Sequence, residues 1–551
     1  MEHIFKFKFM KIFGRLVDIH TRDIYPAEIS ITNGHIDSSV RRLNAPDVFI
    51  LPGLIDSHIH IESSMITPGA FGYEAVKHGT IGVVSDPHEI ANVLGWKGVE
   101  YLIKDAEKSP VKFWFGAPSC VPATNFETNG SSITGDDIEM ILERNDIKYL
   151  SEMMNFPGVI FNDPEVMKKI GAARRLGKPV DGHAPGLTGE NLRKYIDAGI
   201  TTDHECSTLD EAKEKISLGM KILIREGSAA RNLDSLKELY NLFPGLIMLC
   251  SDDLHPEMLI ERHINKLIGK LITEGFDLFD VIRSATVNPV MHYDLDAGLL
   301  QRGQSADFII VPDLKTMEVE ETWIRGEKVF SNGNRTFKYA PGEPLNNFKC
   351  SIIDKRDLIV KRFPGKIRII EAFDGQLLTG EIRMDLAQDD LVKSDVEKDV
   401  LKIVVKDRYH DSPPSLGFIK GFGLKDGAFA GSIAHDSHNI VCVGTNDDDI
   451  AIAINEIIKM KGGLSVSVSS KIESLKLNIG GIMTTRPCSE VAGEYSRLNQ
   501  MVRSMGCTMT APFMTLSFMA LLVIPDLKIG DRGLFDVKQF KPVPLFVESA
   551  G

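Results

Sequence analysis

No C-x-x-C pair occurs in this chain, and its seven cysteines (Cys120, Cys206, Cys250, Cys350, Cys442, Cys488, Cys507) are scattered and odd in number. That excludes a disulfide framework and leaves a reducing cytoplasm as the expected compartment. Long hydrophobic runs are missing too. The most apolar late stretch, Ala511 to Ile524, is broken by Thr515 and Ser517 and falls short of the ~20 residues that span a bilayer. The opening MEHIFKFKFMKIF alternates Phe and Lys as an exposed strand does, without the apolar centre of a secretory signal. No membrane contact is expected. Positive charge is in deficit, with 63 Lys and Arg against 76 Asp and Glu and a net charge of -13. Phosphate backbones need a basic face, so nucleic acid is not an expected partner and a small neutral substrate fits better. Internal repeats and low-complexity tracts are also absent.

What remains is the composition of an ordinary folded protein, 43% hydrophobic and 25% charged over 551 residues, with room for roughly three or four domains. Between residues 51 and 252, short β-rich runs alternate with longer amphipathic stretches, the pattern of successive β-α units. Strands are expected to end near Asp56, Asp86, Gly116, Glu152, His183, His204, Glu226 and Asp252. Eight such units predict an α/β fold, a TIM-like (β/α)8 barrel over 51–300 with its reactive groups at the strand ends. Residues 1–50, with an Asn33-Gly34 hairpin signal, and residues 301–340 read as two parts of one small β-sandwich flanking the barrel. After a Pro/Gly/Asn linker near 338–347, a C-terminal α+β domain is expected over 348–551. Its parts include the strand LKIVVK, the loop GFGLKDGAFAG, the helix DDDIAIAINEIIKM and an apolar strand at LNIGGIM.

The most telling stretch is LPGLIDSHIHIESS, residues 51–64, where an apolar run ends in His58 and His60. Residues two apart on a strand point the same way, so both imidazoles can aim at one ion. The other strand ends add Glu152, His183, His204 and Asp252. Singly, each has an ordinary alternative: a packed histidine, or a carboxylate capping the next helix. Together, four imidazoles and two carboxylates exceed the needs of one tetrahedral ion and suit two divalent ions bridged by a carboxylate.

Further candidates are Glu62, Ser63 and Ser64, which follow the histidine pair and could meet a substrate edge or cap a helix. His88 and Glu89 end the second strand and could be ligands or substrate contacts. Arg231 and Asn232 could line the pocket after the seventh strand, while Glu205 would point away from it on a continued strand. Asp253 competes with Asp252 for the inward position. In the C-terminal domain, His435, Asp436 and His438 have ligand-like spacing but equally suit a loop or a lid over the barrel mouth. Gly421 and Gly423 begin a G-x-G that Asp426 interrupts, so no dinucleotide fingerprint is complete.

Over essentially its whole length the chain resembles the amidohydrolase superfamily and, within it, the adenine deaminases of the bacterial and archaeal type. The resemblance rests on NAPDVFILPGLIDSHIHIESSM, SDPHEIANVLG, DGHAPGL, TTDHE, CSDDLHP and GFGLKDGAFAGSIAHDSHNIVCVG. PGLID-x-H-x-H and SATVNP alone would fit many hydrolases. The resemblance implies hydrolytic deamination of adenine to hypoxanthine and ammonia in purine salvage, by a binuclear centre of manganese, with iron or zinc as alternatives. It makes His58 and His60 ligands of one ion, His183 and His204 ligands of the other, and Glu152 the bridging group. Related dihydroorotases and hydantoinases use a carboxylated lysine there, and no lysine follows the fourth strand here. Asp252 is the expected proton shuttle beside the metals, with Glu152 a second candidate. A homo-oligomer, a dimer, is the expected assembly, with adenine and water the only other partners. The alternatives are an amidohydrolase acting on a cyclic amide or N-acetyl substrate, and a non-catalytic barrel scaffold. The zinc deaminases that flip bases are set aside, since no P-C-x-x-C occurs.

Overall fold

The computed structural model describes residues 8–228, 230–385 and 390–547. Eight parallel strands form the barrel: Leu54–Ile59, Thr80–Ser85, Lys112–Ala117, Ile147–Met153, Val180–Gly182, Thr202–Asp203, Lys221–Arg225 and Ile247–Cys250. The first five pair in one arc and the last three in another. Backbone bonds close the ring at both seams: Thr201 N donates to Val180 O at 2.9 Å, and Asp252 N donates to His58 O at 2.9 Å. Strands such as LIDSHI and TIGVVS are buried at every residue, as parallel strands covered on both faces must be. Outer helices begin where the sequence supplies caps, as at Asp163-Pro164 and Thr208.

The flanking segments join as anticipated, although all eight of their strands belong to one continuous sheet. Phe49–Pro52 pairs with Phe308–Val311 and so splices the two segments. The sheet curls on itself. Ile36 N donates to Gln304 O and Ala306 N to Gly34 O, around an interior that unites Leu16, Ile29 and Ile36 with Phe308 and Trp323. The first described strand begins at Phe9; the Phe/Lys alternation of residues 1–7 lies outside the described residues. Among the described residues no helix is long and apolar enough to cross a membrane.

The C-terminal part is α+β, a mixed sheet packed against helices Asp447–Met460 and Cys488–Ser504. LKIVVK is its fully buried strand Val400–Lys406. LNIGGIM, expected as a strand, is instead a turn. Gly480 and Gly481 take φ of 57° and 71°, and a Cβ on Gly481 would lie 2.9 Å from the Arg408 guanidinium; only glycine fits both demands. In the glycine-rich loop the amides of Gly421 and Gly423 both donate to the Asp399 carboxylate, leaving no free anion cradle. The barrel mouth and this domain share one apolar cluster, in which Ile59, Met65 and Phe71 meet Leu401, Phe422, Phe429 and Phe513. Each such side chain contributes ~1.5–3 kcal/mol on burial, so the domain is fixed over the strand ends.

Candidate metal centre

Six side chains from five strand ends converge at the mouth. His58 and His60 leave the first strand, Glu152 the fourth, His183 the fifth, His204 the sixth and Asp252 the eighth, and all six are buried. The two histidines of the first strand point the same way, with their Nε2 atoms 3.3 Å apart. Two imidazole nitrogens that close need a shared proton or cation between them.

Glu152 stands in the middle. Its Oε1 lies 3.3 Å from His60 Nε2, while its Oε2 lies 2.7 Å from His183 Nδ1 and 3.2 Å from His204 Nε2. Asp252 Oδ1 lies 3.5 Å from His58 Nε2 and 3.2 Å from His60 Nε2. Burial opposes ionisation of Glu152, yet the imidazoles of His183, His204 and His60 hold it well below the usual carboxylate range. Asp252 likewise stays ionised against burial, through Arg225 and then His58 and His60. Two compact trios result, His58/His204/Asp252 and Glu152/His183/His204, beside a quartet of His60, Asp86, His88 and Glu152.

Which of the two adjacent aspartates faces inward is decided by the backbone. Asp252 has φ of 56°, a left-handed conformation that costs a non-glycine residue roughly 1–2 kcal/mol. Its own N–H to His58 O, and its carbonyl accepting from His60 N, pin it there. Asp253 instead accepts a hydrogen bond from the Ser63 hydroxyl and lines the edge of the chamber.

Supporting groups surround the six. Arg225 Nη1 reaches Asp252 Oδ2 at 2.7 Å and also pairs with Glu205. Glu205, expected to point away, lies 3.4 Å from His204 Nε2 and 3.6 Å from His183 Nδ1. The strand stops at Asp203, so alternation no longer governs residue 205. Asp86, noted in the sequence only as a strand end, contacts His88 Nδ1 at 3.2 Å and accepts from Glu152 N. Lys215, fully buried, binds Asp203 and Glu211 and so fixes the strand that delivers His204. The signal for Arg225 was an arginine ending an otherwise apolar run, ILIR.

The weaker candidates divide. His88 enters the centre, with Nδ1 3.5 Å from Glu152 Oε1. Glu62 accepts from the Ile90 amide through Oε1, steadying the helix His88–Leu94, while its Oε2 has no partner and burial pushes its carboxyl up to about 7. Ser64 bonds back to Ile61 O. Arg231 is not brought to the cluster: its half-exposed side chain holds the loop carbonyls of Gly227 and Ser228. Asn232 accepts from Arg225 N and donates to His204 O and Cys206 O, which braces the sixth and seventh strand ends. The segment AHDSHN reaches the barrel: Asp436 joins His88 and Glu89 in a further group that could hold a metal ion, and His435 and His438 both pair with Glu89. Both Glu89 oxygens are thereby occupied.

The donor set fits divalent cations. It comprises imidazole nitrogens and carboxylate oxygens without a thiolate, the preference of manganese, iron or zinc. Among the described residues the one strong cation touching it, Arg225, binds the outer oxygen of Asp252 and leaves the inner one free for a ligand role. The chamber beside it is walled on the barrel side by this cluster and partly roofed by Leu377, His435, Asp436, Phe518 and Leu521 of the C-terminal domain.

Comparisons with known proteins agree with this architecture. Residues 49–329 match the model of the amidohydrolase family, and residues 376–541 match that of the adenine deaminase C-terminal domain. The chain is 48% identical to an adenine deaminase of Methanosarcina mazei, covering 98% of this chain and 100% of that one. It is 48% identical to one of Salinibacter ruber, over 98% of this chain and 99% of the relative, and 50% identical to one of Sulfurovum sp., over 96% and 98%. Barrel, centre and covering domain thus all fall within regions matched at near-full length, and the chain belongs to the adenine deaminase family of the amidohydrolases.

Proposed function

We propose that this chain deaminates adenine hydrolytically to hypoxanthine and ammonia, at a centre that holds two divalent ions, manganese by preference. The observation that carries this reading is Glu152, whose two oxygens face two different sets of imidazoles, His60 on one side and His183 with His204 on the other. In this reading His58, His60 and Asp252 would hold one ion and His183 and His204 the other, with Glu152 between the two sets. A bound divalent ion supplies the acidity that makes hydroxide available from water near neutral pH.

The chain's own residues do the rest. Asp252 takes the water's proton, and Arg225, paired with Oδ2, keeps the carboxylate oriented and ionised until the proton arrives. Adenine C6 resists addition because the ring is aromatic, so N1 must gain a proton as the tetrahedral carbon forms. Asp252 passes that proton to N1, then carries the proton of the newly added hydroxyl to the departing amine, which leaves as ammonia and frees the carbonyl of hypoxanthine, the general acid-base role. Glu152 suits the bridging role better than shuttling, because imidazoles surround both of its oxygens. The C-terminal domain partly roofs the chamber, and cytoplasmic purine salvage is the setting that goes with this reading.

The test is direct. Protein supplied with manganese should release ammonia from adenine and shift the ultraviolet spectrum to that of hypoxanthine. Chelation should abolish the change, and added manganese should restore it. Turnover of acetylated sugars or cyclic imides, with adenine inert, would refute the reading.

A further inference from the structure

Nucleophilic addition to an aromatic carbon proceeds along the normal to the ring plane. A purine attacked from the His/carboxylate side must therefore turn its other face towards the opposite wall of the chamber. That wall comes from the C-terminal domain, and its apolar part is Leu377, Phe518 and Leu521, beside His435 and Asp436. Phe518 and Leu521 are buried, and the Phe518 ring stacks on His435 at 5.2 Å between centroids with 29° between planes. Its orientation is thus set before any ligand arrives.

One buried cation ties this wall together. Lys528 is fully buried on the strand Leu527–Gly530, and its Nζ donates to Leu377 O at 2.6 Å and Phe518 O at 3.0 Å. Among the described residues no carboxylate lies within salt-bridge distance of it; the nearby Asp526 pairs with Lys538 at 2.8 Å instead. A lysine without an acid partner is costly to bury. Its two hydrogen bonds run to the backbones of two wall residues that lie far apart in sequence.

Resting on the deamination reading, we infer that Phe518, flanked by Leu377 and Leu521, is the platform on which the substrate's purine face packs, and that Lys528 is the positioning residue that holds it. Phe518 determines specificity for a flat aromatic base. Lys528 acts only through the wall. The C-terminal domain is accordingly part of the substrate site as well as its cover.

Phe518→Ala, Phe518→Trp and Lys528→Met should be compared with the unaltered protein for KM and kcat on adenine and for bound manganese. Stacking of a base on an aromatic side chain supports a rise in KM of about tenfold or more for Phe518→Ala. The inference expects kcat to change much less, and metal content to stay the same. Phe518→Trp should keep a near-normal KM, because it restores a flat ring, and Lys528→Met should raise KM less than Phe518→Ala does. If the unaltered protein turns adenine over and Phe518→Ala leaves KM unchanged, the platform is refuted while the deamination reading stands. Loss of metal and turnover together in Phe518→Ala, with no rescue by tryptophan, would also overturn it, showing a purely structural ring. An unaltered protein inert towards adenine would bring down the underlying reading, and this inference with it.

Discussion

Exchange of Glu152 for glutamine is expected to lower kcat on adenine by roughly 10³-fold or more, the upper part of the range seen when a group acting directly in proton or charge management is lost. Glutamine keeps the size of the side chain but offers one acceptor oxygen where glutamate has two, and its amide nitrogen is a donor. Because the two Glu152 oxygens serve separate imidazole groups, one side must face an N–H in the variant. The protein should still fold, since the Glu152 main chain keeps its bond to Asp86. Bound metal should fall from two equivalents towards one. Metal analysis and circular dichroism of the same sample check both statements. Near-normal turnover with two ions retained would show that the bridging role was misassigned.

Asp252→Asn should cost roughly 10²–10⁴-fold in kcat with a smaller effect on KM. The carboxylate is kept ionised by Arg225 and the two histidines, and an amide can neither accept the water's proton nor carry it to the amine. Arg225 would also lose half of its charge pairing, leaving Glu205 alone to balance it. Removal of one member of a buried charge network usually destabilises a protein by about 3–5 kcal/mol, so this variant should melt at a lower temperature as well. A rate within a few-fold of the unaltered enzyme would move the shuttle elsewhere, and His88, in contact with both Asp86 and Glu152, would be the group to examine next.

The barrel and its six converging side chains are legible in the sequence because parallel buried strands leave short apolar runs, and because histidines and carboxylates sit at their ends. The predicted ends at Asp86, Glu152, His183 and His204 fall within two residues of the observed strands. What the sequence conceals has physical causes. Alternation assigns Glu205 to the wrong side because the strand stops two residues earlier. The choice between Asp252 and Asp253 depends on a left-handed φ that no periodicity announces. Arg231 is drawn off by neighbouring loop carbonyls. The roof of the chamber, with Phe518 more than 250 residues beyond the last barrel strand, is brought over the centre only by packing of the C-terminal domain. LNIGGIM looks apolar enough for a strand, but its glycine pair is spent on a turn beneath Arg408.

The most direct test of the account is a metal count joined to location: crystals of the manganese-loaded protein, with anomalous scattering measured at the manganese edge. The account predicts two peaks on either side of the Glu152 carboxylate, one among His58, His60 and Asp252 and one between His183 and His204. A single peak, or peaks away from Glu152, would contradict it.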